Sequence, residues 1–345
     1  MARGERSHVR KRRRGCLSGC LTNILLLLGV FAVLFVGACV LGFVKNDPET
    51  GEPSLSLEGV GIDGLDGIQL PGIDLPDIGS LGISLPDISG ISLPQWAYGV
   101  SKTGLTVKTL RAGEGEAVLV CCDGYTMLVG SGSGSGILVC GQLLLSGVSR
   151  LGVAVATCAE EAQIGAMPMV LRLTKPDYLL YQDSQTKGTA YNSMIAAAEK
   201  IEGMHPLVPT QGLTFSLGYA TVTALGPART NHTDERDDGL SLRIDYGGTS
   251  VLIMGTVTAA GEREIITSGA WLDADALICA RGGSDAATCS EFVSAVSPKI
   301  ALMTGKTPAN SVKIRLQKAG AEVYTMQENG VMTLFSDGQT VEIVP

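Results

Sequence analysis

Apolar and polar positions divide this chain into three regimes. Residues 24–44 (ILLLLGVFAVLFVGACVLGFV) are apolar throughout and carry no charge. At 1.5 Å rise, about 20 such residues cross a hydrocarbon core of roughly 30 Å, which predicts one transmembrane helix. Across residues 45–95 Pro and Gly recur too often for a helix or a ladder-forming strand, and the pattern predicts an extended or disordered spacer. From residue 96 onward short apolar runs alternate with helical spacings, the mark of a folded domain over 96–345.

Within that domain, 105–110, 116–122 and 125–129 read as strands, the last two joined at Asp123-Gly124, a hairpin signal. The Gly/Ser run at 131–136 leads into an apolar segment ending at Leu145, expected to be a helix, and 153–157 reads as a strand. Tyr191, Met194, Ile195, Ala198 and Ile201 share a helical face that Gly203 ends. Strands are expected again at 213–217, 220–225, 240–245, 250–254, 276–279 and 299–303, with a helix through Phe292 and Val296 between the last two. Thr307-Pro308 reads as the start of a helix, Thr as its cap and Pro in its first turn, with Gly320 closing it. Two groups of strands, each followed by helices, imply two sheets packed face to face with helices outside, an α+β sandwich of four layers.

Charge adds an orientation. Seven basic side chains and one acidic one lie in residues 1–44, and all the basic ones precede the apolar run. This places a basic tail, 1–23, on the cytoplasmic side and the domain outside. The run VGAC at 36–39 also resembles a lipoprotein box at Cys39, but the apolar stretch continues five residues beyond it. Net charge is −8 overall, so the +6 of residues 1–44 leaves −14 on the remainder. An acidic outer portion disfavours general nucleic-acid binding. The spacer holds GIQLP at 67–71, GIDLP at 72–76 and GISLP at 82–86 and 90–94, whose Ile and Leu could dock on a partner. Six of the nine cysteines (Cys121, Cys122, Cys140, Cys158, Cys279 and Cys289) fall in the outer domain, most in strand-like runs. Buried small hydrophobes are the expected reading, with one or two disulfides as the alternative.

Two stretches, 110–120 (LRAGEGEAVLV) and 156–166 (ATCAEEAQIGA), resemble the D-V-G-Q-G-D-A and T-H-x-H-x-D-H-x-G-G motifs of the metallo-β-lactamase-fold domain found in the ComEC competence family. The likeness continues through 245–256 (DYGGTSVLIMGT), 274–284 (ADALICARGGS), 291–303 and the closing segments 316–325 and 328–334, covering about 105–344. It implies an αββα metallo-β-lactamase-like sandwich. It also implies where metal ligands would stand, and there the chain departs from the motif. The second motif carries Cys158, Glu160, Ala162 and Gln163; the Gly-Asp aspartate is Thr256; the two histidines of H-H-G-S are Arg281 and Gly282. An earlier Asp is Gly130, and a later His-Pro is Thr307-Pro308.

Metal-assisted hydrolysis needs ligands that hold a divalent ion and lower the pKa of its water to about 7. Alanine cannot ligate, and neutral glutamine is a poor substitute for imidazole. Of the three histidines, His8 is cytoplasmic, while His205 and His232 lie far from the motifs in sequence and read as surface residues. The sequence therefore points to a membrane-anchored, outward-facing pseudoenzyme. Its vestigial cleft holds Cys158, Glu160, Gln163, Thr256 and Arg281 and binds a small anionic ligand or a protein partner. Arg281 could grip a carboxylate or phosphate, or pair with Glu160. A hydrolase with an unconventional zinc site built on Cys158, Glu160 and Asp285 is one alternative, and a structural envelope protein is another. The resemblance raises DNA uptake as a context.

Overall fold

Strand residues 118–122 (VLVCC) are apolar without alternation, and the structure shows why: both faces of that strand are covered. The computed structural model describes residues 103–134 and 136–344, together with two short strands nearer the amino terminus. The chain divides into two units, Met1–Asp87 and Ile88–Pro345. In the first, β1 (Val44–Asn46) and β2 (Pro53–Leu55) pair antiparallel, with Asn46 opposite Pro53. The pair falls at the boundary between the expected span and the expected spacer. Pro53 is tolerated because it is the first residue of its strand, where a missing N–H costs least. The rest of the expected span 24–44, the spacer repeats and the basic tail 1–23 lie outside the described residues.

The second unit is built on two sheets. In the first, β3 (Leu105–Thr109), β4 (Val118–Cys122) and β5 (Tyr125–Val129) form an antiparallel meander. It continues in parallel through β6 (Val153–Val155), β7 (Tyr178–Leu180) and β8 (His205–Leu207). The second repeats the plan: β9 (Thr214–Leu217), β10 (Ala220–Gly226), β11 (Ser241–Tyr246) and β12 (Thr249–Ile253) are antiparallel, then β13 (Ala276–Ile278), β14 (Ile300–Met303) and β15 (Glu322–Thr325) run parallel. Finally β16 (Thr333–Ser336) and β17 (Val341–Val344) return to the first sheet, β16 pairing with β3.

Period-two alternation sorts each strand's side chains between layers. Val118, Val120 and Cys122 face the other sheet and meet Val222, Leu242, Ile244, Val251 and Ile278. Leu119 and Cys121 face outward, under α1 (Ile137–Leu145), α3 (Met167–Thr174) and α4 (Thr189–Ala198), which bury Leu143, Leu171 and Met194 there; the short α2 (Glu161–Ile164) buries Ile164 beside them. On the opposite side α5 (Ala259–Thr267), α6 (Ser290–Val296) and α7 (Asn310–Lys318) bury Ile265, Phe292, Val296, Val312 and Leu316 against Leu252, Leu277 and Ala301. A last single turn, α8 (Met326–Asn329), leads into β16. The four expected layers are present.

The start of α7 differs from the sequence expectation. Its cap is Ala309 and its first residue Asn310, three residues beyond Thr307. Residues 305–309 are held instead against the loop after β13, with the Gly305 amide on Gly282 O at 2.9 Å and the Ala309 amide on Gly283 O at 2.9 Å. Those bonds keep the chain out of helical conformation until Asn310. All six cysteines of the domain are buried and free, as the hydrophobe reading expects. No helix among the described residues is long and apolar enough to cross a membrane.

Candidate functional site

The cleft lies where the loops after β5, β6, β12, β13 and β14 converge with the turn preceding β4. Glycine makes that convergence possible. A Cβ on Gly115 would collide with the carbonyl oxygen of Ala162, so the first motif can lie against the second only with no side chain there. Gln163 then ties the two together. Its Oε1 accepts from the Glu116 amide at 3.1 Å, and its backbone carbonyl accepts from the Ser131 and Gly132 amides.

Four of the five expected site residues, Glu160, Gln163, Thr256 and Arg281, line one cavity of about 190 Å³. The fifth, Cys158, is buried and is not among its lining residues; its sulfur accepts from the Glu160 amide at 3.4 Å. Burial pushes that thiol up to about 12, partly offset by the Glu160 N–H, so it stays protonated at neutral pH. The hydroxyl of Thr256 donates to the Arg236 carbonyl at 3.3 Å. Glu160 faces Arg236 at 3.9 Å and forms no ion pair with Arg281, which corrects the pairing considered from sequence.

Arg281 is the residue with the most unusual environment. It follows β13 with φ +53°, a left-handed conformation that disfavours side-chain-bearing residues. Its Nε is buried without a hydrogen-bond partner, and its guanidinium forms no ion pair among the described residues. Its backbone amide is anchored to Gly255 O at 2.7 Å, which fixes the side chain's point of departure at the mouth of the cavity.

Among the cavity residues not singled out from sequence, two are bonded to each other. Glu116 is 5% exposed, and its Oε1 accepts from the Thr304 hydroxyl at 2.9 Å. Burial pushes its carboxyl up to about 7, with the Thr304 bond opposing. The signal for Glu116 was present in the first motif, where it occupies the place of the motif's last acid. Thr304 gave none, because it reaches the site from the end of β14, 188 positions away.

His232 also departs from expectation. Its side chain is only 5% exposed, with Nδ1 2.7 Å from Asp238 and Nε2 2.7 Å from Glu264. It sits in the loop between β10 and β11, the same loop that brings Arg236 to Glu160, and it is not among the residues lining the cavity. His205 lies in the edge strand β8, exposed, as a surface residue.

The donor set does not fit a divalent metal. Among the described residues no three His, Cys, Asp or Glu side chains converge as ligands, so Cys158, Glu160 and Asp285 do not form the zinc site considered from sequence. Cys158 holds its proton, the Gln163 oxygen is engaged, Ala162 is inert and Arg281 brings a positive charge to the cavity.

Two mixed sheets back to back, helices on both outer faces and a cleft at one end of the sandwich define a metallo-β-lactamase-type domain. The domain is ComEC-like: over 196 residues, 55% of this chain, it is 24% identical to ComE operon protein 3 of Bacillus subtilis (strain 168). The match spans 25% of that protein's length. No family model matches the chain. Among solved structures, it is similar to the metallo-β-lactamase fold protein YhfI from Bacillus subtilis at 14% identity, covering 70% of this chain and 100% of that one, with a TM-score of 0.45. It is also similar to Igni18, a metallo hydrolase from Ignicoccus hospitalis, at 17% identity, covering 66% and 98%, with a TM-score of 0.45.

Proposed function

We propose that this protein is a non-catalytic binding module on a ComEC-like metallo-β-lactamase fold, and that the cleft takes a small oxyanion, a carboxylate or a phosphate, through Arg281. Residues 24–44 anchor it in the membrane with the domain outside. One observation carries the binding assignment: a guanidinium with its Nε buried and unpartnered, on a backbone in an unfavourable conformation, beside a cavity. An unsatisfied buried donor costs about 1–3 kcal/mol, and such a cost persists where a ligand repays it. A planar fork of N–H donors matches a carboxylate or phosphate edge. The resemblance to the ComEC competence family supplies DNA uptake as a context, within which the acidic outer portion favours a small ligand over a duplex.

The test is calorimetry on the purified full chain in detergent, titrated at pH 6 with sulfate, phosphate and acetate, together with elemental analysis. Saturable oxyanion binding, weakened at least tenfold by Arg281→Gln, with no stoichiometric metal, is the expected outcome. Stoichiometric zinc or manganese that Cys158→Ala removes would overturn the reading in favour of a metal-dependent hydrolase.

A further inference from the structure

The cavity holds a second group without a complete set of partners. Glu116 is nineteen-twentieths buried, and Thr304 occupies only its Oε1; Oε2 has no hydrogen-bond partner among the described residues, and the side chain lines the same cavity as Arg281. Oε2 therefore opens onto the cavity that Arg281 also lines, and a side chain so largely withdrawn from water, with one hydrogen bond, is either ionised at a desolvation cost or carries a proton it can donate.

The surrounding charges decide between these. On the turn before β4, Glu114 is ion-paired with Lys306 of the loop after β14. After β6, Glu160 faces Arg236, which also holds Asp234 at 2.6 Å. Asp237, on the same loop as Arg236, is spent on the amide and hydroxyl of Thr258, capping α5. The thiols of Cys158 and Cys279 are held protonated by burial. Arg281 is thus matched or outnumbered by acids, and an ionised Glu116 would leave the cleft with no net attraction for an anion. With Glu116 neutral, the cavity wall sets one acid fewer against Arg281, and the two acids that remain there, Glu114 and Glu160, each face a basic side chain of their own, Lys306 and Arg236.

We propose that Glu116 and Arg281 are the two halves of one oxyanion seat, the ligand taking hydrogen bonds from the guanidinium and from the neutral Glu116 carboxyl, so that binding carries a proton into the cleft. This rests on the oxyanion-binding reading above and adds its specificity: the ligand is a multi-oxygen anion able to accept from both groups at once, and its affinity falls as pH rises. Thr304 is the positioning residue, holding Oε1 so that the proton resides on Oε2. A carboxyl that burial has moved to about 7 exchanges this proton in the neutral range. An anion docked beside it raises the carboxyl further, so that binding above about pH 7 takes up a proton that at lower pH is already in place.

Sulfate is the probe, because its own charge is constant between pH 5.5 and 8.5. Calorimetry of the full chain in two buffers of different ionisation enthalpy reads both affinity and protons taken up. The expected result is little uptake at pH 6 and, above about pH 7, uptake approaching one proton per site with affinity falling toward tenfold per pH unit. Glu116→Gln, which keeps an uncharged donor of the same shape, should flatten that slope. His232→Gln should leave it in place, although His232 also titrates.

A flat slope in the unaltered protein, an unchanged slope in Glu116→Gln, or a slope that disappears with His232 would each overturn the seat. The two-buffer measurement on the unaltered protein decides the matter even where a variant fails to fold. Sulfate binding that needs Arg281 but moves no proton sinks this inference and leaves the oxyanion reading standing. No binding of any of the three anions at pH 6 sinks the oxyanion reading itself.

Discussion

Arg281 shows what single residues in this cleft contribute and what they cost. The motif position is normally filled by an imidazole; here a guanidinium occupies it at φ +53°, where a left-handed backbone disfavours any side chain by roughly 1–2 kcal/mol. Replacing it with glycine relieves that strain and removes the unpartnered Nε together. Arg281→Gly is therefore expected to raise thermal stability, by about 1 kcal/mol, while abolishing oxyanion binding. Differential scanning calorimetry alongside a sulfate titration checks both signs; a destabilised variant would mean that the arginine serves packing instead. Much of the cleft was legible from sequence, because Glu160, Gln163, Thr256 and Arg281 fall at motif positions and come together around one cavity. Glu116 was passed over because an acid in a glycine-rich turn looks solvated. Only the close approach of the 162–163 backbone, which Gly115 permits, buries it.

At the scale of elements, the loop between β10 and β11 is fastened by a clasp that sequence did not reveal. His232 lies between Asp238 of its own loop and Glu264 of α5, and Glu264 is in turn bound by Arg229. Burial alone would favour neutral imidazole, but the bonds to Glu264 and Asp238 outweigh it and raise the His232 pKa. Arg229 first, then His232, hold Glu264 down to about 2. A raised histidine contributes fully below its unfolded value, near 6.5, and the contribution fades as pH rises through the higher folded value. A depressed glutamate contributes above about 4.5 and fades as pH falls toward 2. The clasp is thus strongest between roughly pH 4.5 and 6.5. His232→Gln is expected to lower stability by about 1 kcal/mol at pH 6 and by less at pH 8.5, after discounting for the partial exposure of Glu264. Equal losses at the two pH values in denaturant titrations would show that the imidazolium is not the species held. The period-two runs placed most strands to within one or two residues. What escaped was short or at an edge: β7 has three residues, and β8 is His-Pro-Leu, where proline argues against a strand everywhere but at an edge.

On the scale of the whole molecule, two halves of like plan are locked together by the return of the chain end. β16 inserts between β17 and β3, so residues near 335 complete a sheet begun near 105. That long-range closure was readable only through resemblance, since local periodicity carries no information on which strands pair. The proposed placement outside the membrane belongs to this scale too. Seven basic residues ahead of an uncharged run of 21 predict that protease added to intact cells degrades the domain, while a tag at residue 1 is cut only after lysis. Protection of the domain in intact cells would reverse the orientation and the source of its ligand.

The six sequestered sulfhydryls bear on where such a domain can be made and kept. None is bonded to another, and burial has raised those of Cys121, Cys122, Cys140, Cys158 and Cys289 to about 11 or 12, leaving almost no thiolate at neutral pH. No disulfide among these six is needed to hold the domain together. The same packing shields it from scrambled crosslinks in surroundings that would join exposed cysteines at random.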